Sequence, residues 1–273
     1  MYKISIEELK DKAYNIRRDL IELIYRAGSG HLDTSLSLVE VWLSIVHSDF
    51  YSLDAKNGEM KNRDRIFLSE GHACPVQYMI NADLGYYPKE ELLKGFRKPF
   101  SPFGGHTVRN LKYGFENSNG SLSIGVWQAY GNALETSNNV FCIAGDGEFQ
   151  EPTSQGIFSV PLNLKPLGNF TLIINRNRLA QDSEVDLGPI KEVAALYNWQ
   201  TMIVKGHDFN ALGSALQLAV EDKDRPTLMI CDTVKGYGGD PNHAGKLGHH
   251  GKPPGNDEEY QAYLAGLEAG RRN

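Results

Sequence analysis

The apolar run Val140-Phe141-Cys142-Ile143-Ala144 breaks abruptly into Gly145-Asp146-Gly147, and a second apolar run, Phe170 to Ile174, breaks into Asn175-Arg176-Asn177. Short apolar runs bounded by turn residues read as buried strands. If these two are parallel neighbours, Asp146 and Asn177 meet at one carboxyl edge of a sheet, where open α/β sheets bind their ligands. Glycines around an aspartate let backbone approach a phosphate closely and leave a carboxylate at the tip of the turn. One carboxylate and one amide oxygen are hard ligands suited to Mg²⁺ or Ca²⁺, whose shells substrate phosphates often complete. The implied ligand is a metal-bound diphosphate.

The remaining pattern extends the same architecture. Helical spacing runs from Ile6 to Arg26, Leu36 to Val46, Pro75 to Leu84, Leu122 to Glu135, after Pro152, Ile190 to Tyr197 and Phe209 to Val220. Between these fall strand patterns at Ile66 to Ser69, Thr201 to Val204 and Thr227 to Cys231. Strands alternating with helices predict an α/β fold, a central parallel sheet with helices on both faces. No repeat or low-complexity linker divides the chain, so residues 1–273 read as a single domain. From Lys235 to Pro254 the chain is rich in Gly, Pro and His and reads as a long surface loop, of a kind that is often functional.

Four of the eight histidines sit beside glycine in predicted loops: Gly30-His31, Gly71-His72, Gly105-His106 and His250-Gly251. Imidazoles converging on one strand edge could relay protons and bond sugar hydroxyls near neutral pH. A zinc cluster is the rival, but the histidine and cysteine spacings do not support it. His47, His207 and His243 carry no functional signal. Cys142 and Cys231 fall inside strands and read as core; Cys74, two residues beyond His72, reads as structural more readily than as reactive. A net charge of −6 without a basic stripe argues against nucleic acid. No apolar stretch is long enough for a membrane span and the first residues lack a signal-peptide core, so a cytoplasmic protein is expected.

The ordered set of motifs resembles the amino-terminal, thiamine-diphosphate-binding domain of transketolase over nearly the whole chain. Ser29-Gly30-His31, Asn62-Arg63-Asp64-Arg65-Ile66-Phe67-Leu68-Ser69-Glu70-Gly71-His72, Gly105-His106, Gly120-Ser121-Leu122, Gly145-Asp146-Gly147 with Asn177, and Gly236-Tyr237-Gly238 with Asn242-His243-Ala244-Gly245 and His250-Gly251 carry it. The resemblance implies that Asp146, Asn177 and the carbonyl of Leu179 hold Mg²⁺ (or Ca²⁺) against the diphosphate. It further implies that Gly145, Gly147, Glu148 and His72 belong to the cofactor site, and that Gly120, Ser121 and Leu122 face the aminopyrimidine. His31, His72, His106 and His250 would line the catalytic channel, where a two-carbon ketol unit passes from a ketose phosphate to an aldose.

Three departures stand out. Ser123-Ile124 replaces the usual Gly-Gln of the pyrimidine turn, Asp33 places an acidic group near the expected substrate channel, and Leu247 stands where many members carry a histidine. They bear on the sugar substrate and suggest a tailored acceptor. The family's activating glutamate lies beyond this segment, so the resemblance implies a split enzyme: this subunit plus a separate pyrimidine-binding polypeptide, as α₂β₂. Glu148 and Glu151 would face the symmetry-related subunit or form a solvated turn. Alternatives are half of another thiamine enzyme, of dehydrogenase or synthase type, and a catalytically silent scaffold.

Overall fold

The computed structural model describes residues 1–160 and 167–271. Its centre is a five-stranded sheet in the order β1-β2-β3-β5-β4. The strands are β1 Arg65–Leu68, β2 Val140–Gly145, β3 Phe170–Arg176, β4 Gln200–Lys205 and β5 Thr227–Asp232. Every pairing is parallel, so all carboxyl ends leave the same edge. β2 and β3 are direct neighbours, in register from Val140 opposite Phe170 to Gly145 opposite Asn175. The expected meeting of Asp146 and Asn177 at one edge follows from that register.

Successive strand residues face opposite sides, and both sides are buried. Phe141, Ile143, Ile173, Met229 and Cys231 join one apolar cluster, while Cys142, Ala144, Leu172, Ile174, Leu228 and Ile230 join the other. The first cluster is covered by α1 (Ile6–Ala27), α2 (Leu32–Ser37), α3 (Val39–Val46), α4 (Cys74–Asp83) and, among later helices, the one spanning Phe209–Glu221. The second face carries the helices Ile124–Glu135 and Ile190–Leu196. In chain order the remaining labels are α5 (Lys89–Gly95), α6 (Ile124–Glu135), α7 (Pro152–Gln155), α8 (Ile190–Leu196), α9 (Phe209–Glu221) and α10 (Asp257–Arg271).

Three boundaries differ from the sequence reading. The single helix expected over Leu36 to Val46 is two, because the turn tightens at Ser35 to Leu38, where the Leu38 amide donates to the Ser35 carbonyl and the Ser37 hydroxyl to that of Thr34. α5 and α10 escape the pattern because each buries so little: Leu92 alone in α5, Tyr263 and Leu267 in α10. The segment from Lys235 to Pro254 is indeed a succession of turns, yet it is not merely a surface loop, since Lys235 and Asp240 are buried in it. All three cysteines are free and buried; Cys142 and Cys231 pack in strands, and burial pushes the Cys74 thiol up to about 12, well away from reactivity. No helix among the described residues is long and apolar enough to cross a membrane.

Candidate active site

The Gly-Asp-Gly turn leaves β2 as a short 3₁₀ segment, Asp146–Gln150. Asp146 is buried, and its carboxylate accepts from the Gly147 amide at 2.8 Å and the Arg178 amide at 2.6 Å. Burial outweighs those donors and pushes its pKa up to about 6, with the charge of Glu70 adding to the rise. Beyond β3, the Asn177 side-chain oxygen accepts from the Leu179 amide at 3.0 Å. The Leu179 carbonyl accepts from the ammonium of Lys235 at 2.9 Å. No atom lies within 4 Å of where a Cβ on Gly147 would sit, so the space over this turn is open.

Three of the four expected histidines pack together on the same edge. His31 precedes α2, His72 lies in the 3₁₀ turn Gly71–Ala73 after β1, and His250 comes from the turns after β5. Their ring centroids form a near-equilateral triangle: 4.9 Å between His31 and His72, 5.0 Å from His250 to each. His106 stands outside the triangle but beside it. A Cβ on Gly71 would come within 2.7 Å of the His106 ring, so only glycine lets these two loops approach. Burial and mutual repulsion drive His31 down to about 3 and His250 to about 4, and lower His106 as well. The His31 Nδ1 is buried with no hydrogen-bond partner. His72 Nε2 lies 3.4 Å from the buried Glu70 carboxylate, which Asn175 holds from β3.

Glu148 does not lie in a solvated turn. Its buried carboxylate accepts from the Gly145 amide, the Ser69 hydroxyl and the Ser123 amide at 3.0, 2.8 and 3.1 Å. One side chain thereby joins the ends of β1 and β2 to the exposed turn Gly120-Ser121-Leu122. Burial lifts its pKa to about 7 against those three donors. The Ser123 departure is accommodated here: its φ is +71°, the left-handed region, and its hydroxyl bonds Ser154 and Thr153. Glu151, by contrast, is exposed.

Asp33 also departs from expectation. Rather than lining the channel, it is buried against α10 and accepts from the Tyr263 hydroxyl at 2.8 Å. Lys235 is the residue that the sequence reading missed. It is the buried cation of the edge, bonded to Leu179, Ala180 and His250 and facing the carboxylates of Glu70, Asp33 and Asp146. A lone lysine in Val-Lys-Gly carries no motif; its place just past the end of a strand on the ligand-binding edge was the available signal. His207 and His243 take structural roles, His207 on Glu40 and Tyr237, His243 against His249 and Tyr263.

A family model described as the thiamine diphosphate binding domain of transketolase matches residues 9–265. This chain belongs to the transketolase family. Transketolase of Mus musculus is 33% identical over 264 residues, which cover 91% of this chain and 40% of that protein. The chain thus spans about 40% of the length of several full transketolases that it matches. The 6-deoxy-6-sulfo-D-fructose transketolase subunit SqwG of Clostridium sp. (strain MSTE9) is different in extent: 30% identical, with 96% of each chain covered. Among solved structures, transketolase from Leishmania mexicana superposes with a TM-score of 0.85 over 98% of this chain and 42% of its own, at 22% identity, a likeness of fold. Transketolase from Pichia stipitis, in complex with sedoheptulose 7-phosphate, reaches 0.78 at 27% identity over 90% of this chain and 39% of its own.

Proposed function

We propose that this chain is the cofactor-binding, N-terminal subunit of a split transketolase, which moves a two-carbon ketol unit from a ketose to an aldose. The observation that carries this reading is the convergence on one sheet edge of Asp146, Asn177 and the histidine cluster. The subunit-sized relative, matched end to end, supports a separate pyrimidine-binding partner, completing an α₂β₂ assembly. Leu122 and Ile124 support it too, since both present apolar surface to solvent on the pyrimidine turn, where a second polypeptide would cover them. Three free, buried thiols fit a cytoplasmic setting.

The residues present fit thiamine diphosphate with Mg²⁺ or Ca²⁺. Asp146, Asn177 and the Leu179 carbonyl offer oxygen donors, and that carbonyl has a second lone pair beside the one given to Lys235. The open space over Gly147 suits a diphosphate, and the unpartnered His31 Nδ1 awaits a polar group. When bound, the cofactor supplies the nucleophilic carbon and the electron sink for carbon–carbon cleavage. The protein's part is orientation and proton placement. His31, His72, His106 and His250 meet substrate hydroxyls, and an uncharged imidazole donates at one nitrogen and accepts at the other. Glu148 holds Gly120 to Leu122 in place for the aminopyrimidine. Arg97 stands nearby, bonded to Ser29 at 2.6 Å with its Nε buried and unpartnered, and suits a sugar with an anionic tail.

The test is calorimetric titration of thiamine diphosphate with Mg²⁺ into this chain, alone and mixed with the candidate partner encoded beside it. Tight binding and ketol transfer only in the mixture are expected. Absence of binding in both would replace this reading with a silent scaffold. Asp146→Ala should abolish the Mg²⁺-dependent binding while the fold survives, because it removes a buried charge and not a packing group; unchanged affinity would refute the metal assignment.

A further inference from the structure

Lys235 spends all three of its donors in fixed directions: on the Leu179 carbonyl at 2.9 Å, the Ala180 carbonyl at 3.2 Å and the Nδ1 of His250 at 3.0 Å. An ammonium has no lone pair, so the nitrogen facing it can only accept. A neutral imidazole carries one N–H, and with Nδ1 accepting, that proton sits on Nε2. We propose that Lys235 is a positioning residue: it locks His250 as the Nε2–H tautomer and pins its ring to the loop that carries Leu179.

The surroundings agree. Burial lowers the Lys235 pKa, and the carboxylates of Glu70, Asp33 and Asp146 that stand around it oppose that lowering. Around His250 stand Lys235 and His72, which disfavour a charged ring, and Asp182, which favours one. Adding a proton to His250 would bring a second cation against the first, so the ring stays neutral and its tautomer alone decides what it offers. Within the triangle this makes His250 a defined donor beside the rings of His31 and His72, whose own tautomers can then be set by whatever oxygen enters. The same ammonium connects two loops that are 71 positions apart at Leu179 and His250. A displacement of the Leu179 carbonyl, for instance by a cation drawn to it, is therefore passed to the ring. What the ring meets depends on the split-transketolase reading; where its proton sits does not.

The experiment is two-dimensional NMR of long-range proton–nitrogen couplings on the full chain, labelled with ¹⁵N-histidine, without cofactor, at pH 7.5. The His250 signals, assigned by loss in His250→Gln, are expected to show a protonated Nε2 and a bare, hydrogen-bonded Nδ1. Lys235→Met should move the Nδ1 shift toward that of an unbonded nitrogen and average the two tautomers, and Lys235→Arg should restore the wild-type pair. A loop pin with no say in the proton would leave both shifts unchanged in Lys235→Met, and that result overturns the proposal. A protonated Nδ1 in the wild type overturns it directly, even if the variants do not fold. Unperturbed signals of His47 in the variants certify the fold. Cofactor titration on the same samples separates the two readings: a locked tautomer without thiamine diphosphate binding would refute the proposed function and leave this inference standing.

Discussion

His31 shows how much of this site is held by what is kept out of it. Its folded pKa of about 3 lies below the ordinary 6.5, so between those values the unfolded chain binds the proton and the folded chain does not. Stability from this group is therefore whole above about pH 6.5 and is lost progressively as pH falls toward 3. Between pH 7 and 5 the expected loss is on the order of 1 kcal/mol, after discounting for partial solvent screening. His31→Gln removes the group, and its melting temperature should fall less than that of the wild type over the same window in scanning calorimetry. Parallel pH dependence in both proteins would mean His31 is hydrated. Residue by residue, the sequence showed the chemistry better than the direction of the side chains. Asp146, Asn177 and the histidines announced themselves through glycine-flanked turns at strand ends. The sequence named Asp33 and Glu148 without their direction and Lys235 not at all, because whether a charged side chain turns inward depends on partners that arrive from distant segments: the donors Tyr263, Ser69 and Ser123 for the carboxylates, the accepting Leu179 carbonyl for the ammonium.

At the level of elements, the close approach of α6 to the end of β1 is what brings the Gly120–Leu122 turn to the Gly145–Gly147 turn. A Cβ on Gly125 would lie 2.5 Å from the Ser69 Cα and 2.7 Å from its Cβ. Gly125→Ala gains about 1 kcal/mol of helix propensity, whereas forcing backbone apart costs roughly 1–3 kcal/mol. A clash this deep, against main chain, belongs at the upper end, so a net loss of about 1–2 kcal/mol is expected in urea unfolding. Ser69 would also be displaced from Glu148, and on the proposed function the affinity for thiamine diphosphate should fall with it. Neutral stability would show that the helix can slide. The strands were the most legible elements, since β2, β3 and β5 are buried on both faces and leave nearly unbroken apolar runs. Helices were legible in proportion to what they bury, which is why α5 and α10 were not seen.

For the whole molecule, α10 matters out of proportion to its thin apolar stripe. It contributes Tyr263, which reaches Asp33 on α2 and His243 in the turns after β5. Tyr263→Phe would leave the buried Asp33 carboxylate without that donor, at a cost of about 1–3 kcal/mol. The expected signature is faster amide hydrogen exchange across residues 236–251 with the sheet unaffected. Uniform acceleration over the whole chain would instead mean that the tie serves global stability.

That tie spans 230 positions along the chain. Translation delivers residues in order, so the sheet, the Gly-Asp-Gly turn and most of the imidazoles can be in place while the segment that fastens the His250 loop has yet to be synthesised. A chain halted between the end of β5 and Tyr263 has all five strands but leaves this edge unfastened. Fastening of this edge therefore waits on a residue delivered after every strand of the sheet.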